Sequence, residues 1–128
     1  MQEKHLFEYA VLRIVPKVER EEFLNVGVVL YCPKQKFLDV LFHLDIERIK
    51  AFAAHLDIPE IGQYLQAFEK ICHATRDSGP VGKLAIAERF RWLTATRSTV
   101  VQTSKTHTGL CTDAKETLQK LYAQLVLC

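Results

Sequence analysis

Two groups of polar side chains in this 128-residue chain have the types and spacing to do chemistry. The first surrounds the run Arg20-Glu21-Glu22-Phe23-Leu24-Asn25-Val26-Gly27-Val28. There Arg20, Glu22 and Asn25 can converge as a polar site near Arg13. A plain structural account competes: Glu22 pairs with an arginine, and Asn25 ties down the loop that enters a strand. Gly27, inside an apolar run, implies a bulge or a close backbone approach under either account. Arg13 lies among apolar residues, where an unpaired charge is costly, so the expected arrangement is an ion pair or shared network with Glu22.

The second group is Arg89, Arg91, Trp92, Arg97, Ser98 and Thr99, followed by a hydroxyl-rich stretch through His107 to Gly109. Arginine forks take phosphate or carboxylate with two parallel bonds, and hydroxyls and backbone amides can complete such a site. Trp92 beside arginines can stack on a base. The plain account is a wet helix face, a half-buried Trp92 and a polar loop. A Walker loop is excluded, because its glycines and Gly-Lys-Ser/Thr ending are missing. His43, His55 and His73 read as packed or exposed structural residues; His107, beside Ser and Thr, is the best catalytic candidate among the histidines. No spacing marks a nucleophile, a base and an orienting acid together, so no catalytic residue is assigned. Cys32, Cys72, Cys111 and Cys128 are dispersed, with no C-x-x-C pair and no His at ligand spacing. They read as buried or incidental thiols, and no metal and no cofactor is expected.

The elements that must hold these residues follow from periodicity. Phe7–Val15 is rich in β-formers, stopped by Pro16 and apolar on both alternating faces, as in a strand covered on both sides. Residues 17–25 read as a loop or one helical turn. Val26–Cys32 is a second buried strand, joined through Pro33-Lys34-Gln35-Lys36 to Phe37–His43 as an antiparallel hairpin. Asp45 is a plausible cap for a helix with the stripe Ile46, Ile49, Phe52, Ala53 and Leu56. Pro59 suits the first turn of the next helix, whose stripe runs from Ile61 to Cys72. Leu84–Ala95 is a third helix and Thr99–Thr103 a fourth strand; 104–109 reads as a polar loop. Asp113-x-x-Glu116 matches a capping box before a last helix. The order β-β-β-α-α-α-β-α predicts an α+β domain: about four mainly antiparallel strands with about four helices packed on them.

Length and composition bound the rest. The chain has the size of one domain, 1–128, and 48% hydrophobic with 25% charged residues is an ordinary globular balance. The start lacks the apolar run of a signal peptide and no stretch has the length of a membrane span, which favours a cytoplasmic location. The net charge of +2 is unevenly placed. Residues 83–107 carry Lys83, Arg89, Arg91, Arg97 and Lys105 against Glu88 alone, so an anionic partner is conceivable at one place only. Dedicated nucleic-acid binders show a broader basic face.

Tyr9, Leu12, Arg13 and Pro16, then Arg20-x-Glu22-Phe23-x-Asn25-Val26-Gly27-Val28-Val29, resemble the bacterial family known as domain of unknown function 3037. So do Arg89-Phe90-x-Trp92-Leu93, Arg97-Ser98, Gly109 and the Asp113-led last helix. The resemblance implies no established activity. Members of that family often neighbour kinases resembling the HipA toxin kinase, which implies a partner or regulatory role; composition and spacing show nothing of that link. The leading expectation is therefore a non-enzymatic interaction or regulatory domain docking on a protein partner, such as a HipA-like kinase. The alternative is a phosphate-recognising domain, either a nucleic-acid binder or a phosphoryl-processing enzyme, using residues 83–107.

Overall fold

A computed structural model describes residues 3–127, so the expectations that fall on Met1, Gln2 and Cys128 lie outside the described residues. The elements are β1 (His5–Ile14), β2 (Leu24–Cys32), β3 (Phe37–Phe42), α1 (Ile46–Phe52), α2 (Ile58–His73), α3 (Ile86–Leu93), β4 (Val101–Thr103), β5 (His107–Cys111) and α4 (Ala114–Tyr122). This is the expected α+β arrangement of an antiparallel sheet with four helices. The chain is most regular where local chemistry agrees with the apolar pattern. Asp45, Asp57 and Asp113 each accept a hydrogen bond from the backbone N–H three residues on, capping α1, α2 and α4. Such a cap is worth about 1 kcal/mol. Residues 123–127 continue α4 as a wider π turn.

The sheet order is β3-β2-β1-β4, with β5 also on β1. β4 pairs with Leu12–Ile14 and β5 with His5–Tyr9, so both occupy one lane along the same edge of β1. The lane is broken at Ser104, which replaces a ladder partner: its N–H donates to Val11 O at 2.8 Å and its hydroxyl accepts from Val11 N at 2.9 Å. The stretch 104–109, expected to be a polar loop, is thus half strand. Apart from the buried Ser104, its polar residues face solvent from an edge, and Gly109 is required by packing rather than by a turn. A Cβ there would stand 2.6 Å from Phe7 Cζ.

The double covering of β1 is borne out. On one face Ala10, Leu12, Ile14, Val29, Tyr31 and Val40 meet Ile49 of α1, the α2 stripe and Phe90 and Leu93 of α3. On the other, Phe7, Val28, Leu30, Cys32 and Cys111 meet Ala114, Leu118 and Val126. Gly27 fulfils both of its readings. The β1–β2 register slips by one residue between Leu12 and Arg13, and a Cβ at Gly27 would lie 2.8 Å from Leu41 O. Among the described residues no helix is long and apolar enough to cross a membrane.

Candidate functional site

The first cluster sits at the end of the sheet where β1 leaves and β2 enters, but its pairing differs from the expectation. Glu22 pairs with Arg20, not with Arg13, and both are exposed. The reason is the turn between the strands: Glu21 adopts the left-handed conformation (φ 55°), which ends a short 3-10 turn over Val18–Arg20. Glu22 then lies beside Arg20 in solvent, while Phe23 lies against Arg13, whose guanidinium carbon is 3.9 Å from the ring centroid.

Arg13 stands in a row across the sheet, with Asn25 opposite it on β2 and Gln102 opposite it on β4. Asn25 donates through Nδ2 to Leu125 O at 3.2 Å, which ties the turn after α4 to the sheet. Its Oδ1 is buried without a partner among the described residues, and so is Arg13 Nε. Leaving a buried polar atom unpaired costs about 1–3 kcal/mol. The bulge beside Arg13 is a familiar device for re-aiming a side chain. Beyond the end of β1 a cleft of about 300 Å³ is lined by Lys17, Arg20, Glu22, Phe52 and His55. His55, read from the sequence as part of a helical stretch, belongs to this end of the molecule.

The three arginines of the second cluster each make contacts within the fold. Arg89 donates to Ile71 O, Cys72 O and Leu84 O at 2.8–3.1 Å, closing the C-terminus of α2, where carbonyls lack helical partners. Arg91 makes a two-pronged contact with Glu8 at 2.9 and 2.8 Å. Arg97 donates to Trp92 O and Leu93 O at the end of α3 and lies 4.3 Å over the Trp92 ring. Trp92 itself is exposed. Ser98 and Thr99 line a separate, mainly apolar cleft of about 400 Å³ with Leu56, Tyr64 and Val100. His107 is exposed on β5, its ring 5.2 Å from that of Tyr9.

Among the described residues no Ser or Thr hydroxyl bonds a histidine; these hydroxyls serve carbonyls, a backbone N–H or Asp77. His73 pairs with Asp39 at 2.7 Å on the surface. Cys32, Cys72 and Cys111 are buried free thiols, as expected. Burial, reinforced by nearby Asp39, pushes the Cys72 thiol well above its ordinary range; burial, and then contact with Cys32, raises Cys111. Among the described residues no three His, Cys, Asp or Glu side chains gather as a metal site would need.

Several residues of interest were silent in the sequence. Phe23 and Gln102 join Arg13 only through the turn geometry and the β4 register. Leu6 and Leu110 face each other across β1 and β5 and are 55% and 64% exposed, an apolar pair on the face that packs against α1, α2 and α3 but beyond those helices. Its one signal was the alternation Leu6, Glu8, Ala10, Leu12 along β1.

Comparison with known proteins returns one family model, Protein of unknown function (DUF3037), matching residues 9–126. No curated protein and no solved structure matches the chain. The match spans both polar clusters, all four helices and the sheet from Tyr9 onward, and on that ground the chain belongs to the DUF3037 family.

Proposed function

We propose that this is a docking domain that takes up an extended segment of a partner protein along β5. The observation that supports it is an unpaired strand edge lying against exposed apolar side chains. Among the described residues nothing pairs with β5 on its outer side. On β1, Val15 and Val11 direct their backbone groups toward the β4–β5 lane, so by alternation Tyr9, Phe7 and His5 do the same. His107, Gly109 and Cys111 then face inward, and Thr108 and Leu110 present N–H and C=O groups outward. An added strand would find main-chain partners there, with Leu6 and Leu110 as a floor for its alternate side chains. The Glu8–Arg91 pair stands beside that floor, since Glu8 follows Leu6 on the same face.

A HipA-like kinase, the neighbour the family resemblance suggests, is the partner to try first. The phosphate-recognising alternative has less support, because Arg89, Arg91 and Arg97 already engage carbonyls or Glu8. The test is co-purification with the partner under native conditions. Leu110→Pro removes the outward N–H, and Leu6→Asp charges the floor; each should abolish capture while circular dichroism stays that of the parent. Capture unaffected by both substitutions would refute docking at this edge.

A further inference from the structure

We propose that the cleft between the start of α2 and the segment leading into β4 binds a small organic amine, protonated and carrying an alkyl or aromatic body. It lies at the β4 end of the lane along β1 and not beside β5, so the proposal does not depend on the docking reading.

The walls of the cleft are fixed by the fold. One is the start of α2, where Asp57, Glu60, Ile61 and Tyr64 recur at helical spacing and line it together. The other is the stretch 98–101, which is tied down along its length. Thr99 Oγ1 donates to Val101 O at 2.7 Å, Gln102 Nε2 donates to Thr99 O at 2.8 Å, and Val15 N donates to Val100 O at 2.6 Å. Small-ligand sites are usually formed in advance in this way. Ile61 and Val101 are buried and make the floor, Leu56 and Tyr64 are partly buried, and Val100 remains 38% exposed. The volume of about 400 Å³ falls within the range of about 300–1,000 Å³ typical of such sites. An apolar body placed there takes these side chains out of water, which is the driving force for filling the cleft.

The rim decides the sign of the ligand. Asp57 and Glu60 are exposed lining residues, and among the described residues no Lys, Arg or His lines the cleft. Asp57 uses Oδ1 to accept the Glu60 N–H at 3.1 Å, which leaves Oδ2 for a ligand. Neither carboxylate pairs with a base among the described residues. The helix N-terminus opposes a cation with about half a positive charge, against two full negative ones, so the balance stays negative. Tyr64 adds to it, since an aromatic ring attracts a cation to its face. Ser98 and Thr99, grouped with the arginines in the sequence, therefore line a cleft of the opposite preference. Arg97, next to them in the chain, turns its donors to Trp92 O and Leu93 O instead. A fatty acid or a phosphate ester would occupy the same apolar volume only against that charge.

The test is titration of the full chain followed by ¹H–¹⁵N NMR, with three probes that share a phenyl body. 2-Phenylethylamine should shift the amides of 56–64 and 98–101 together and saturably. 2-Phenylethanol, which lacks the charge, should bind about fivefold more weakly, the scale of one well-placed but solvent-exposed ion pair. 3-Phenylpropionate, of opposite charge, should bind more weakly than the alcohol. Asp57→Asn, which keeps the helix cap, combined with Glu60→Gln should bring amine and alcohol to equal affinity. A preference for the amine that survived both substitutions would overturn the assignment to these carboxylates. In the unmodified chain, no shift at these amides with any of the three probes would overturn the proposal. So would tighter binding of the acid than of the amine. Shifts of the same amides with protein concentration alone would also overturn it, because a second copy of the chain would then be the occupant. The last three results do not depend on a variant folding.

Discussion

Arg89 separates a structural role for the basic segment from a ligand-binding one, and Arg89→Met is the substitution that does it. Methionine keeps an unbranched stem of similar length and removes only the donors. In the folded chain those donors reach Ile71 O, Cys72 O and Leu84 O, so the loss strands three carbonyls at the junction of α2 and α3. Hydrogen bonds from a charged donor are worth about 1.5–3 kcal/mol each when buried. Arg89 is only partly buried, and the freed carbonyls can turn toward water, so the sum must be discounted to about 2–3 kcal/mol. For a domain of this size that corresponds to a fall in Tm of roughly 8–15 °C. Urea unfolding followed by circular dichroism and by the fluorescence of Trp92, the chain's single tryptophan, gives the free energy directly. Arg91→Met is the internal comparison. Its contact with Glu8 is well aligned but solvent-exposed at the arginine, and should contribute less than about 1 kcal/mol. If Arg89→Met changed stability by under about 0.5 kcal/mol, the ordinary range for a surface substitution, the capping argument would fail and an anion-binding role would regain its ground.

The remaining expectations are simpler. Ser104→Ala leaves the buried Val11 N–H without an acceptor and should cost about 1–3 kcal/mol in the same unfolding assay; Ser104→Thr should cost less if the hydroxyl is what matters. Stability should fall as pH rises above about 8.5, where thiols of the unfolded chain ionise while Cys72, its folded pKa raised by burial, keeps its proton. The unfolded state then binds fewer protons than the folded one, so the slope is negative, up to about 1.4 kcal/mol per pH unit per thiol; Cys72→Ala should flatten it. Single- or double-stranded nucleic acid should bind no tighter than about 10⁻⁶ M at physiological salt, checked by fluorescence anisotropy across a salt series. Tighter, salt-sensitive binding lost on Arg91→Met and Arg97→Met would reverse that view.

The fold was legible where one signal governed a segment. The α2 stripe and the caps at Asp45 and Asp113 state their helices outright, and the unbroken Val26–Cys32 run admits only a buried strand. β5 was missed because its sequence, His-Thr-Gly-Leu-Cys, carries solvent-facing residues and a glycine that local rules assign to a loop. Only the Phe7 ring, 102 residues away in the chain, explains why a side chain is forbidden at Gly109. The same holds for Arg13. That it needed an explanation was visible from its apolar neighbours, whereas its partner was decided by the handedness of the backbone at Glu21, which sequence spacing does not encode.

Charge counted along the chain also proved a poor guide to charge available to a ligand. Residues 83–107 hold the chain's largest local excess of positive charge, yet each of the three arginines tested by position is engaged within the fold. A guanidinium already bonded to helix carbonyls must first give them up to take a phosphate, and that loss offsets most of what the new contact gains. Around Arg13 the balance is reversed. Residues 1–82 carry more acids than bases, yet among the described residues none of those acids pairs with Arg13, which lies instead against Phe23. Where an arginine's donors end, and not how many arginines a segment holds, is therefore what should direct the search for this protein's ligands.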